Sequence, residues 1–234
     1  MAPLTIATAS PTVGADVVMI GAGRSPTSAT PTTWHVDTDP DPWVWSTSTF
    51  PDADTTIDGL VTNSTKTKRW GTNVVESLES DMIYGSYAEM SAIVTDFDET
   101  GGTAFEAQAV TNDSGSGLFI DSGSGWELAG TIVNVALYSG QPGGNGGAHN
   151  ALFGNSTYAV DLSEYASEIN GIVPEPRTSV LLMGLLAMCC ALSASVVRNN
   201  CRLFVGSMLL NAETLCLCRA RCLHIAEVCS AFVA

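Results

Sequence analysis

Short apolar runs separated by turn residues recur along the first 160 residues of the chain. The clearest runs are residues 17–21, 73–75, 82–84, 90–95 and 118–120. Gly, Pro, Asn, Asp and Ser cluster between them, and apolar runs of this length between such clusters are typical of β-strands. The pattern predicts an all-β domain, built as a sandwich or a barrel.

The spacing of apolar residues changes to a helical one near residue 160. Leu162, Tyr165, Ala166 and Ile169 follow one another at the three- and four-residue intervals of a helix face. We therefore predict a short closing helix that begins within residues 159–165. Residues 25–56 differ from both patterns, because Thr, Ser, Pro and Asp dominate them, and we expect little regular structure there.

A continuous uncharged stretch covers residues 178–197. At about 1.5 Å of rise per residue, a helix of this length crosses the roughly 30 Å hydrocarbon core of a bilayer. Arg198 and Arg202 follow directly. Because basic residues flanking a membrane helix favour the cytoplasmic side, we predict a single-pass membrane protein with its body outside the membrane.

Charge and cysteine content both distinguish the body of the chain, up to Pro176, from its C-terminal part. Up to Pro176 there are four basic residues against 22 acidic ones, whereas five Arg and two Glu follow. All seven cysteines lie at or after Cys189, so disulfide bonds do not hold the body together. An acidic body repels phosphate groups, which excludes nucleic acid as its partner.

Two features near the N-terminus carry no function in our interpretation. The first 24 residues have neither a basic leader nor a continuous apolar run, and this predicts that they are not a signal peptide. Gly21 and Gly23 form a short Gly-x-Gly pattern, but Pro26 prevents the helix that a nucleotide-binding loop requires.

A serine lies within a loop of small residues between two of the predicted strands. Residues 112–117 read Asn-Asp-Ser-Gly-Ser-Gly, and Trp126, Leu128 and Gly130 follow at alternate positions. A loop so rich in Gly and Ser lets backbone N–H groups converge on one point, as stabilisation of an oxyanion requires. A plain Gly/Ser connection between strands is the alternative interpretation.

This stretch resembles the nucleophile loop of the trypsin/chymotrypsin-like serine peptidases, in which Gly-Asp-Ser-Gly-Gly-Pro-Leu precedes Trp-x-Leu-x-Gly-Ile. The resemblance implies a partial trypsin-like Greek-key β-barrel over residues 1–170, namely the second barrel of that fold, with a short C-terminal helix. It also implies that Ser114 is the nucleophile and that Asp113 braces the loop. The N–H groups of Ser114 and Asn112 would line the oxyanion hole, and Gln108 would lie near the floor of the primary pocket.

The chain departs from the family at several points. Asn112 and Ser116 stand where the family has Gly. The histidine and aspartate of the family come from its first barrel, upstream of the serine barrel, and neither His35 nor His149 lies in that order. We therefore expect an N-terminally truncated member that is inactive by itself. A non-catalytic cell-surface β-domain is the alternative.

Residues 171–202 resemble the PEP-CTERM sorting signal of exopolysaccharide-producing Gram-negative bacteria. The resemblance consists of Pro174, Glu175 and Pro176, followed by the apolar helix and a basic end. It implies recognition by an exosortase-type membrane protease, display at the cell surface and an exopolysaccharide matrix as a possible partner.

The tail and one acidic stretch offer no clear metal site. Residues 203–234 form an atypical Cys-rich tail without the paired Cys-x-x-Cys spacing of common zinc modules, and a frameshifted or read-through gene end would explain this tail equally well. Asp37, Asp39 and Asp41 alternate, but neighbouring prolines and the missing distal Glu favour a solvated loop over a calcium site. We predict no metal and no cofactor.

Overall fold

The computed structural model describes residues 4–83, 89–143, 149–172 and 188, and these residues form mostly β-strands with one short helix. The strands are β1 (Thr5–Ile6), β2 (Asp16–Gly21), β3 (Arg24–Pro26), β4 (Thr32–Asp37), β5 (Val44–Ser46), β6 (Thr55–Leu60), β7 (Thr62–Lys66), β8 (Arg69–Val74), β9 (Ser77–Ile83), β10 (Glu89–Asp96), β11 (Gly117–Asp121), β12 (Trp126–Ala136), β13 (Ala151–Leu152) and β14 (Ser156–Asp161). A 3₁₀ turn (Leu162–Tyr165) leads into helix α1 (Ala166–Ile172). The predicted all-β class is confirmed.

The largest sheet closes on itself. Its strand order is β8-β2-β11-β12-β14-β10-β9, with β1 added parallel to β12. Only Val75 and Glu76 separate β8 from β9. The Val75 N–H donates to Ala15 O at 2.9 Å, next to β2, and the Glu76 N–H donates to Val94 O at 2.8 Å, in β10. The two ends of the sheet are therefore one bent stretch of chain.

The interior of this closed sheet is filled by small and branched apolar side chains. Strands β2, β10, β11, β12 and β14 contribute to it, because alternate residues of a strand face the same side. The buried set includes Val17, Met19, Ile93, Leu118, Ala129, Ile132 and Ala159. In β2 the alternation is plain: Val17 and Met19 are buried, whereas Ile20 is 41% exposed. The apolar run 17–21 is thus one wall of the core.

A second sheet forms where we expected little regular structure, so that prediction was wrong. Its order is β13-β6-β4-β5, and β3 pairs separately with β7. Threonine favours β-strands even where one face of the sheet is exposed to solvent. These strands contain Thr32, Thr33, Thr55 and Thr56. Val36 is the one fully buried apolar residue of β4.

The closing helix is confirmed, but it begins later than predicted. Residues 159–161 belong to β14, where Ala159 pairs with both Ile93 and Ile132. Asp161 ends the strand, and its carboxylate accepts a hydrogen bond from the Ser163 N–H at 2.9 Å. This cap starts the 3₁₀ turn that precedes α1.

The first compact unit of the chain ends at Ile172. The predicted membrane helix 178–197 lies outside the described residues except for Met188, as do the motif at Pro174, Glu175 and Pro176 and the tail 203–234. Among the residues that are described, no helix is both long enough and apolar enough to cross a bilayer. The anchor therefore remains a prediction.

Candidate functional site

Two consecutive tight turns build the serine loop. The first is closed by the Asp113 N–H, which donates to Val110 O at 2.9 Å, and the second by the Ser116 N–H, which donates to Asp113 O at 2.9 Å. The third residues of these turns are Asn112, with φ +80°, and Gly115, with φ +84°. A positive φ at the third position is what a type II turn requires.

Asn112 therefore holds the backbone conformation that a glycine would adopt at this position. Asparagine tolerates the left-handed region better than most residues, because its short side chain can form local hydrogen bonds. Asn112 in place of the glycine of the peptidase motif therefore does not prevent the backbone from forming this turn.

Asp113 is buried beneath this loop and fastens it to the end of β2. Its carboxylate accepts a hydrogen bond from the Gly23 N–H at 2.6 Å and another from the Val110 N–H at 3.0 Å. A Cβ atom added to either Gly21 or Gly23 would lie 2.3 Å from a carboxylate oxygen of Asp113. The Gly-x-Gly pattern is therefore required for the close approach of this carboxylate.

The segment that leads to the loop is held against β8 and β14. The Thr72 N–H donates to Phe105 O at 2.8 Å, and the Ala107 N–H donates to Thr72 O at 3.1 Å. Further along, the Ala109 N–H donates to Thr157 Oγ1 at 3.0 Å, in β14. These bonds fix the backbone on both sides of Gln108.

Ser114 is exposed at the tip of the loop. The Gly115 N–H donates to Ile132 O at 2.9 Å and so holds the loop against β12. Within the described residues, neither the Ser114 hydroxyl nor the N–H groups of Ser114 and Asn112 have a hydrogen-bond partner. The loop thus presents one hydroxyl and two backbone donors to solvent.

No described histidine is hydrogen-bonded to Ser114. His35 lies on β4, and its Nε2 is 3.2 Å from Thr49 Oγ1. The backbone carbonyl of His149 accepts a hydrogen bond from the Thr62 hydroxyl. Neither imidazole is bonded so as to take a proton from the serine hydroxyl, as a general base must.

A cavity of about 330 Å³ lies behind the serine loop. Its lining includes Asp113 and Gln108 but neither Ser114 nor Asn112, so it is separate from the exposed tip of the loop. The Gln108 Nε2 donates to Ala109 O at 3.1 Å, whereas its Oε1 is buried without a partner. Gln108 thus lines a cavity that does not include the serine.

Arg24 lines the same cavity, and its Nε is also buried without a hydrogen-bond partner. The remaining walls are largely apolar, and they include Met19, Leu60, Phe97, Val110 and Ile132. Trp70 and Phe105 also line it, with ring centroids 5.0 Å apart, and each is about 60% exposed. These two rings therefore form part of the cavity's opening.

Sequence reasoning did not predict this cavity or that Arg24 lines it. The signal that pointed towards it was the Gly-x-Gly pattern of Gly21 and Gly23, because glycines at such a spacing indicate that another group approaches the backbone closely. The group that approaches is the Asp113 carboxylate, which is 90 residues away in sequence from Gly23.

The acidic stretch at Asp37, Asp39 and Asp41 has local hydrogen bonds. The Asp37 carboxylate accepts a hydrogen bond from the Asp39 N–H at 3.1 Å, and the Asp41 carboxylate accepts one from the Ser139 hydroxyl at 2.6 Å. Among the described residues no three His, Cys, Asp or Glu side chains are grouped to hold a metal ion.

Comparison of this chain with protein-family models, with curated proteins and with solved structures gives no match.

Proposed function

We propose that this chain is a surface-sorted, membrane-anchored protein derived from a trypsin-like serine endopeptidase, and that it does not hydrolyse peptides by itself. The observation that carries the proposal is the placement of an exposed serine on a braced turn directly before a strand of a closed sheet. Its hydroxyl has no base among the described residues.

The order of strands in the closed sheet supports the peptidase origin. Counted along the chain, the first three strands of the circuit are β2, the bent β8–β9 stretch and β10. The fourth, β11, returns to pair with β2, which gives the spatial order 4-1-2-3 of a Greek key, with strands β3 to β7 inserted between β2 and β8. The serine loop lies in the long connection before this fourth strand, as we expect for the serine-bearing barrel of the trypsin-like fold.

The chemistry of the loop explains why we expect no turnover. A serine hydroxyl is a weak nucleophile at neutral pH until an adjacent base removes its proton. The two free N–H groups of Ser114 and Asn112 are suitable donors for an oxyanion, but such donors act only after the attack has begun. A base for Ser114 would have to come from residues outside those described.

A fluorophosphonate probe tests this proposal directly. We expect no labelling of the folded chain above that of Ser114→Ala, with trypsin in the same reaction as the positive control. Labelling that maps to Ser114 and disappears in Ser114→Ala would overturn the proposed inactivity and make the chain a working hydrolase.

The proposed location of the protein rests on the C-terminal part of the chain. Pro174, Glu175 and Pro176, the uncharged stretch 178–197 and the following arginines support sorting by an exosortase-type protease. The body up to Pro176 carries 22 acidic residues against four basic ones, and a strongly acidic domain is well suited to a solvated position outside the membrane.

A non-catalytic cell-surface domain that binds the exopolysaccharide matrix or a protein partner is the second candidate. The observation that favours it is the pair of exposed aromatic rings, Trp70 and Phe105, beside a cavity that does not include the serine. Absence of labelling at Ser114 together with retained binding to purified matrix, lost in a Trp70→Ala, Phe105→Ala variant, would favour this candidate.

A further inference from the structure

We propose that the cavity behind the serine loop binds a small apolar carboxylate, that is, a molecule with one ring or a short branched chain and a single carboxylate group. The cavity of about 330 Å³ lies at the lower end of the range for small-molecule sites, which suits a hydrocarbon group of this size. The carboxylate remains at the opening, beside the basic side chains. The site does not include Ser114, so it depends neither on the peptidase origin nor on surface sorting.

The cavity has apolar walls and an aromatic entrance. Its walls include Met19, Phe97 and Ile132. Trp70 and Phe105 line it as well, although each is about 60% exposed, and their ring centroids are 5.0 Å apart. A hydrocarbon group that enters past these two rings removes apolar surface of both the protein and the ligand from water, and this burial is favourable.

The basic residues of the body gather at the opening of this cavity. The body contains 22 acidic residues and only four basic ones, namely Arg24, Lys66, Lys68 and Arg69. Both arginines line the cavity. Lys66 pairs with Arg24 across strands β7 and β3, and Lys68 follows Thr67, which lines the cavity and is exposed. The positive charge of an acidic domain is thus concentrated in one place, where it attracts an anionic ligand.

The protein itself does not neutralise these basic groups. None of the four forms an ion pair with a carboxylate of the described residues. The Arg69 Nη2 donates to the Arg24 carbonyl, whereas its Nε and Nη1 have no partner within the described residues and are not shut off from solvent. Lys66 and Lys68 are exposed. Arg69 and the two lysines therefore remain available to a carboxylate, which also relieves the repulsion between them.

Two carboxylates line the cavity, but they do not cancel this attraction. The Asp113 carboxylate is buried and accepts from the Gly23 and Val110 N–H groups. The Glu106 carboxylate accepts from the Thr103 N–H and hydroxyl, both at 2.7 Å. The four basic residues outnumber these two, and more distant carboxylates are screened at physiological salt, where the Debye length is about 8 Å.

Three nearly isosteric fluorinated probes test the proposal on the full chain in a mild non-ionic detergent. They are 4-fluorophenylacetate, 4-fluorophenylacetamide and 2-(4-fluorophenyl)ethylamine, each titrated by ¹⁹F NMR at pH 7. At low salt we expect the dissociation constant of the acetate to be lower than that of the amide by about fivefold or more, and that of the amine to be the highest. This difference should shrink at high salt. Equal affinities, or a preference for the amide or the amine, would overturn the proposal.

A charge variant tests the role of the basic residues. Lys66→Gln, Lys68→Gln, Arg69→Gln should weaken the acetate by about fivefold and leave the affinity for the amide unchanged, because only the acetate is charged. The control is Lys66→Arg, Lys68→Arg, which keeps the charge and should keep the preference. A preference for the acetate that persists in the folded glutamine variant, judged by circular dichroism, would contradict the assignment.

A second variant separates binding in the cavity from partition into detergent. Trp70→Ala, Phe105→Ala should weaken the acetate and the amide alike, by about fivefold or more, because both probes lose the aromatic entrance. Trp126→Ala is the matched control, since Trp126 is 56% exposed but does not line the cavity. Unchanged affinities in the folded Trp70→Ala, Phe105→Ala protein would show that the probes bind elsewhere and would refute the proposal.

An acidic polysaccharide is the competing ligand for the same basic residues, but its hydroxyl groups would lose their water in a cavity with apolar walls. Binding of polygalacturonate without binding of the acetate would therefore overturn the proposal in favour of a polysaccharide. Fluorophosphonate labelling tests the proposed function separately. Acetate binding together with labelling at Ser114 would support the ligand and refute the inactivity, whereas neither binding nor labelling would do the reverse.

Discussion

At the scale of single residues, the serine loop depends on Asn112 and Asp113. Asn112 adopts a positive φ that few residues tolerate, and Asp113 binds two backbone N–H groups from beneath the loop. The resemblance to the peptidase motif located both residues from the sequence. It did not reveal that Asp113 meets Gly23, because a contact between residues 90 positions apart depends on the fold.

Substitution of Asn112 tests the conformation of the loop. We expect Asn112→Val to lower the free energy of unfolding by about 1–2 kcal/mol, because a β-branched side chain is strained at positive φ. Asn112→Gly serves as the control and should be neutral or slightly stabilising. Urea denaturation of both variants measures the difference, and equal stabilities would mean that the turn does not have this φ.

Substitution of Gly23 tests the contact with the Asp113 carboxylate. A Cβ atom in Gly23→Ala lies 2.3 Å from an oxygen of Asp113, so we expect a loss of about 1–3 kcal/mol in the free energy of unfolding. Gly171→Ala is the matched control, because its added Cβ meets nothing within 4 Å and alanine favours the helix. A Gly23→Ala protein as stable as Gly171→Ala would refute the contact.

At the scale of elements, the closed sheet could be foreseen in part. The runs 17–21, 90–95 and 118–120 have apolar residues at the spacing of strands, and all three are strands. The second sheet was missed because its strands Thr32–Asp37 and Thr55–Leu60 each bury only one residue, which leaves no apolar alternation to read. The sequence predicted the closing helix, but the helix begins later than predicted, because strand β14 continues to Asp161 and this residue caps the turn that follows.

Leu118 tests the closed sheet, because β11 pairs with β2 on one side and β12 on the other. We expect Leu118→Ala to cost about 2–5 kcal/mol, since its side chain is fully buried in the core. Leu78→Ala in β9 is the control: Leu78 is 43% exposed, and its loss should cost about 1 kcal/mol or less. Similar losses for both would contradict the placement of Leu118 inside the closed sheet.

At the scale of the whole molecule, the burial of two tyrosines affects the stability of the fold at high pH. Burial, and then the charge of Asp96, raises the pKa of Tyr138. Burial, followed by Glu79 and Asp96, raises the pKa of Tyr158. The hydroxyl of Tyr138 donates to Phe153 O at 3.0 Å, a bond that requires the protonated form.

These shifts predict a loss of stability at high pH. Below about pH 10 both tyrosines are protonated in the folded and unfolded chains, so their contribution is fully present. Above pH 10 the unfolded chain releases its protons first, and the free energy of unfolding falls as the pH rises through the folded pKa values. Urea denaturation between pH 9 and pH 11.5 measures this fall.

The matched comparison for the alkaline prediction is the variant Tyr138→Phe, Tyr158→Phe. We expect its free energy of unfolding to fall less steeply than that of the wild type above pH 10, with parallel curves below pH 9. An equal slope above pH 10 would show that these two hydroxyl groups are not responsible for the fall.

Both candidate functions require that the body reaches the cell surface. The most direct measurement is the intact mass and peptide map of the protein released from the surface of its own cells. We predict that the chain is anchored in the membrane until it is sorted, and that its surface form contains Ser114 but has lost the segment after Pro174, Glu175 and Pro176. A protein found only in the cytosol, or a surface form that retains residues 178–234, would contradict the proposed sorting.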